Sequence, residues 1–161
     1  MVKTADDVYA ALAEVSDPEI PAVSVIDLGM IEAVEVSGAK AKVTLLPTFV
    51  GCPALDVIRE DIGKALTNAG FEPKIEVTYQ PAWTSERITA TGRKKLADYG
   101  LAPPTGVRAV GKVKLDLLKP ARCPYCGSAD TVMESAFGPT ACRATCYCRA
   151  CRNPFEQFKN V

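Results

Sequence analysis

Six of the seven cysteines in this 161-residue chain fall between Arg122 and Arg152, and four of them form two Cys-x-x-Cys pairs, Cys123/Cys126 and Cys148/Cys151, with 21 residues between the pairs. Each pair has the right length for a tight turn that points two sulfurs at one point, and two such turns complete a tetrahedral four-thiolate shell around zinc. Gly127 follows the first pair, where a knuckle needs a residue free of Cβ. The spacing predicts a zinc ribbon. The same four thiolates would also hold an iron–sulfur cluster, and Cys142 and Cys146 leave more sulfur than one zinc requires. A disulfide scaffold is the third use of such a segment; the N-terminus MVKTADDVYA, which lacks the apolar core of an export signal, speaks against it.

The seventh, Cys52, stands apart in Gly51-Cys52-Pro53, just ahead of an amphipathic run with Leu55, Ile58, Ile62 and Leu66 on one face. With Pro53 at the first helical position and Gly70 just past the end, Cys52 is expected at the helix N-cap, where free backbone amides and the positive end of the dipole favour a thiolate. The competing reading is a buried small residue that closes the strand-to-helix turn. Histidine is absent, which removes Ser-His-Asp and Cys-His catalysis and the histidine-based iron and zinc sites. Any chemistry must run on sulfur or carboxylate.

Lysine plus arginine balance aspartate plus glutamate at 19 each, so no global field attracts nucleic acid or an anionic membrane. Residues 1–118 carry 13 basic and 16 acidic side chains, and residues 119–161 carry 6 and 3. No apolar run approaches the roughly 18 to 20 residues that span a bilayer. The expectation is a soluble protein in a reducing cytoplasm, where clustered cysteines bind metal.

The elements that must position these sulfurs read as follows. Thr4 with Asp7 has the form of a capping box, and Val8, Ala11, Leu12 and Val15 repeat at helical spacing, so a helix is expected over about residues 5–15, ending before Asp17-Pro18. Ile31–Val36 and Lys40–Leu46 read as a hairpin around Ser37-Gly38, with Ala41, Val43 and Leu45 inward. Ile75, Val77 and Tyr79 give a third strand, and a last helix closes at Gly100. The predicted class is α+β, a small mixed sheet with helices on one face, plus a C-terminal ribbon. The expected division is an assembly domain over 1–104, a linker or extra strand over 105–118, and a four-cysteine ribbon over 119–161.

Asp17–Ile31 (DPEIPAVSVIDLGMI) with Leu45–Ile58 (LLPTFVGCPALDVI) resembles the iron–sulfur assembly domain of SufT-like proteins. Pro81–Pro104 and the ribbon from RCPYCGS through FGPTAC to CRACRNPFEQFK extend the likeness over nearly the whole chain, which is similar to the PaaD family, accessory subunits of bacterial phenylacetyl-CoA epoxidase. That resemblance implies a non-catalytic maturation factor that helps assemble a diiron or iron–sulfur centre of the epoxidase system. It implies oxygenase or reductase components as partners, structural zinc on Cys123, Cys126, Cys148 and Cys151, and iron or an iron–sulfur cluster as transient cargo. No nucleic acid or membrane partner is implied; a homodimer is carried over from related assembly domains. Asp17-Pro18-Glu19 and Gly51-Cys52-Pro53 match the assembly signature, so Cys52, Asp17 and Glu19 are the candidate transfer site, with Asp27 a further nearby acid. Cys142 falls in the family's Thr-Ala-Cys step, as an additional thiol. Ser85-Glu86-Arg87 and Asn160 depart from the family, and Cys146 is extra and expected to be buried. Two readings of other classes compete: a ribbon that binds nucleic acid or protein, and a thiol redox enzyme using Cys52.

Overall fold

The computed structural model describes residues 3–105 and 119–160. Helix α1 (Ala5–Ala13) starts at the expected capping box, Thr4 and Asp7 each taking the other's backbone N–H. Strands β1 (Ile31–Ser37) and β2 (Lys40–Leu45) form the expected antiparallel hairpin, and Gly38 at φ 60° supplies the left-handed turn residue. On β2, Ala41, Val43 and Leu45 are buried, as the alternation predicts. Helix α2 (Leu55–Asn68) buries Ile58, Ile62 and Leu66, then closes in a Schellman turn: Phe71 N–H bonds Leu66 C=O and Gly70 N–H bonds Thr67 C=O. The chain returns as β3 (Glu72–Val77), parallel to β2, so the sheet is mixed in the order β1-β2-β3. It begins three residues before the apolar alternation at Ile75 because Glu72 pairs with Lys40 across the ladder. Pro73 is tolerated there because β3 is an edge strand.

The chain divides into two compact units. The first runs to Trp83 and includes Arg87–Gly92. Between α1 and β1, its loop is fixed by local polar bonds and by two donors from further along. Trp83 Nε1 donates to Leu28 C=O at 2.9 Å, and the Arg87 guanidinium donates to Gly29 and Ile31 carbonyls at 2.9 and 3.2 Å while pairing with Glu32 at 2.8 Å.

The second unit takes Thr84–Glu86 and the chain from Arg93 on, the division falling inside α3 (Ala90–Tyr99). Arg93 donates to Ser85 and Pro104 carbonyls, both at 2.7 Å. Leu101–Ala102, read from sequence as part of the domain boundary, is a two-residue strand β4. It runs parallel to the last strand in a sheet ordered β4-β7-β6-β5, with β5 Thr131–Ser135, β6 Arg143–Cys148 and β7 Asn153–Phe158. The apolar stretch Val107–Leu118, expected as a linker or strand, lies outside the described residues.

Gly92 decides between two opposed effects. Helix propensity favours alanine there by about 1 kcal/mol, but an added Cβ would lie 2.5 Å from the Asp27 carbonyl oxygen. A backbone oxygen cannot turn aside, so Gly92→Ala is expected to cost about 1–3 kcal/mol, as overpacking does, and to lower the urea midpoint. A midpoint at or above the parent value would show that the loop yields.

Candidate functional site

The two cysteine turns meet as the spacing predicts. All four sulfurs of Cys123, Cys126, Cys148 and Cys151 lie within 4.8 Å of one another, with Cys123 3.6 Å from Cys151 and Cys126 3.6 Å from Cys148. Bonds of about 2.3 Å to a central ion give tetrahedral sulfur–sulfur edges of about 3.8 Å, whereas a disulfide needs about 2.05 Å. The donor set therefore fits a metal ion. Among the described residues, no other group of three or more cysteine or carboxylate ligand atoms comes close enough to share one.

Each turn ends in a left-handed residue directly after its second cysteine, Gly127 at φ 72° and Arg152 at φ 59°. The expected freedom from Cβ is thus met in the first knuckle, while the second bears the cost of a side chain there. Cys123 and Cys148 are buried, Cys151 is half-buried and Cys126 is exposed. Asn153 leads in drawing the Cys151 thiol down to about 6, aided by contact with Cys123 and Cys148. The Ser128 N–H pulls Cys126 the same way, but burial and contact with the other three sulfurs push it up to about 12. Sulfurs this close shed their protons unequally, and a cation must displace those that remain.

The extra thiols stay outside this shell. Cys146 is fully buried, as expected, and donates to Gln157 Oε1 at 3.5 Å; burial pushes its thiol up to about 11. Cys142 is half-buried, with its sulfur 3.1 Å from Thr140 Oγ1. Asn160 is buried and donates to Thr105 at 3.0 Å. Of the ribbon aromatics, Phe155 and Phe158 are core residues, whereas Tyr125 and Phe137 face solvent.

Cys52 is not the N-cap of α2. That position is Ala54, which lends no side-chain bond, and Cys52 C=O instead closes a turn with Leu55 N–H at 3.2 Å. Nor is its thiol lowered as expected. Burial raises it, the Asp17 and Glu19 carboxylates add to that, and the N–H groups of Ala54 and Leu55 pull against it without prevailing. The thiol does reach the amides ahead of the helix, but half-burial beside two negative charges outweighs them. Asp17 Oδ1 accepts from Glu19 and Ile20 N–H at 2.8 and 3.0 Å, and Asp27 exchanges bonds with Ser24. Both acids close turns. Asp17 and Glu19 reach Cys52 through their charge, and do not gather around it as a ligand set.

Sequence reasoning misses Gln157 and Thr131, which bond the stretch leading into Cys123. Period-two alternation from Phe155 puts Gln157 on the buried face, and that is the available signal.

A mixed-sheet α+β unit with a lone thiol in a loop, followed by a four-sulfur ribbon, is the build of an iron–sulfur assembly domain with an appended metal-binding ribbon. Residues 5–78 match the iron–sulfur cluster assembly protein family, and residues 109–159 match the PaaD zinc beta ribbon domain. The chain is 38% identical over 156 residues to a protein of Escherichia coli (strain K12) that is named as one component of a "Putative 1,2-phenylacetyl-CoA epoxidase", covering 96% of this chain and 92% of the relative. It belongs to the PaaD family. It is also 38% identical over 92 residues to an "Fe-S protein maturation auxiliary factor" of Porphyromonas gingivalis, covering 55% of this chain and 86% of that one. The crystal structure of a domain of unknown function, DUF59, from Bacillus anthracis superposes with a TM-score of 0.53 at 29% identity, over 56% of this chain and 89% of that one. No helix among the described residues is long and apolar enough to cross a membrane.

Removing the Glu19 charge lowers the Cys52 thiol toward its ordinary range, so Glu19→Gln should raise the thiolate fraction at neutral pH. The rate of Cys52 alkylation by iodoacetamide at pH 7.5, followed by peptide mass mapping, should rise about twofold, as loss of one nearby half-buried charge allows. An unchanged or slower rate would show that Glu19 does not govern this thiol.

Proposed function

We propose that the protein is a non-catalytic maturation factor that helps assemble a metal centre, iron–sulfur or diiron, in a phenylacetyl-CoA epoxidase system. The observation that carries this reading is the presence in one chain of two unlike sulfur sites: a closed four-cysteine shell and a lone, half-buried Cys52 on a loop of the assembly unit. A closed shell suits structural zinc, which asks for four sulfurs and no open position. A transfer site needs the opposite, a reachable sulfur with room for a second protein's ligands. Val50, 85% exposed, and Val57 leave apolar surface on either side of Cys52 in sequence, which suits contact with a client protein.

In this reading Cys123, Cys126, Cys148 and Cys151 hold zinc, and iron or an iron–sulfur cluster passes transiently over Cys52, with Asp17 and Glu19 shaping its turn and its charge. Cys142 is a spare thiol. The assembly function resides in residues 1–104 and the ribbon in 119–161, joined through 105–118. The partners are the oxygenase or reductase components, met in the cytoplasm by a homodimer. The names of the relatives and the neutral net charge support a protein partner over nucleic acid.

Protein purified without air should carry one zinc per chain and no acid-labile sulfide. Cys52→Ser should keep that zinc and the parental unfolding midpoint, yet lower the iron content of the partner enzyme made in the same cells by at least about tenfold, the scale on which losing a metal-handling ligand acts. Partner iron at the parental level would remove Cys52 from the mechanism.

A further inference from the structure

The stretch that enters the first knuckle is held by side chains from two different strands. Gln157 on β7 is fully buried. Its Oε1 accepts the N–H of Ala121 at 2.7 Å and the S–H of Cys146 at 3.5 Å, and its Nε2 donates to Lys119 C=O at 3.1 Å. Thr131, which opens β5, donates its hydroxyl to Ala121 C=O at 2.8 Å. Both backbone polar groups of Ala121, two residues before Cys123, are therefore taken by side chains.

Those side chains are rooted beside the other knuckle. β5 and β7 flank β6, Thr131 is paired with Cys148 itself, and Cys148 is paired with Asn153 on the other side. The buried cluster around Ala121 comprises Ala102, Cys123, Cys146, Cys148 and Phe155. Packing there would be served as well by leucine as by glutamine, and a buried amide is tolerated only because its bonds are made. What the amide adds is direction: it ties residues 119–121 to the strands that carry Cys148 and lead out of Cys151.

We infer that Gln157 and Thr131 are positioning residues of the metal centre, setting the first cysteine turn at ligand distance from the second. This rests on reading the four cysteines as a metal site and extends it to the side chains that hold them. Hydrogen bonds behind metal ligands typically change metal affinity 10- to 100-fold, and here they act on the backbone that carries a ligand.

The full chain loaded with one zinc is mixed with excess 4-(2-pyridylazo)resorcinol, and metal loss is timed for the parent, Gln157→Leu, Thr131→Val, Thr131→Ser and Glu156→Gln. Gln157→Leu should lose zinc about 10–100 times faster. Thr131→Val should lose it about five times faster, the worth of one hydrogen bond, and Thr131→Ser, which keeps the hydroxyl, should match the parent. Glu156→Gln breaks the half-buried 2.8 Å pair with Arg143 on the neighbouring strand without touching residues 119–121, and should stay within about twofold, as substitutions that share no partner do. Cobalt-substituted protein should show the same four-thiolate absorption in every variant. If Gln157→Leu does not fold, the contrast between Thr131→Val and Thr131→Ser decides alone. Parental loss rates in Gln157→Leu and Thr131→Val, or equal acceleration by Glu156→Gln, would overturn the assignment. A parent chain that takes up no metal would overturn the metal-site reading itself, and the assignment with it.

Discussion

Sulfurs 22 and 28 residues apart in the chain must reach one ion, and the ribbon has little apolar mass with which to bring them there. A segment of this size cannot pack its way to a unique structure. It relies instead on backbone geometry: three antiparallel strands aim the second turn, left-handed residues at 127 and 152 close both turns, and hydrogen bonds at Ala121 bring the first turn alongside. The added parallel pairing of β4 with β7 covers part of an edge that would otherwise be bare. Every one of these devices serves the placement of four sulfur atoms.

The assembly unit solves a different problem with different means. Its core is conventional, α1 and α2 supplying Val8, Leu12, Ile58, Ile62 and Leu66 against the alternating inward residues of β2. The irregular stretch between α1 and β1 has no ladder of its own, so Asp17 and Asp27 take its free N–H groups while Trp83 and Arg87 take its carbonyls. The acids that invite a ligand reading are thus occupied in shaping the loop. Burial first, and then the charges of Asp17 and Glu19, raise the Cys52 thiol above its ordinary range.

Much of this is legible in the residues. The four-cysteine shell follows from spacing, the hairpin and β2 face from alternation, and both ends of α2 from Pro53 and Gly70 to within a turn. Burial of Cys146 also follows from the frequency with which free cysteine is found inside. What cannot be read is long-range. Leu101–Ala102 has no strand signature of its own and becomes one by pairing with residues 55 positions later. Alternation from Phe155 hints at burial of Gln157, but its partners at 119 and 121 are known only once the strands are placed. The Cys52 thiol departs from expectation because Pro53 alone does not set the cap, and because its protonation depends on burial and on charges more than 30 residues away. Local chemistry is visible, and the energies that tune it are set by tertiary neighbours.

The parallel pairing of β2 with β3 has a consequence for the order in which the assembly unit forms. The β1-β2 hairpin turns on two residues and can close within microseconds, but β3 can join only after α2 has been laid across the sheet. The loop that carries Cys52 is the first half of that crossover, lying between β2 and α2. Its turn bonds are local, from Cys52 N–H to Phe49 C=O and from Leu55 N–H to Cys52 C=O, whereas Asp17 and Glu19 come near it only in the folded unit. A nascent chain therefore forms its hairpin before the Cys52 loop reaches its final surroundings.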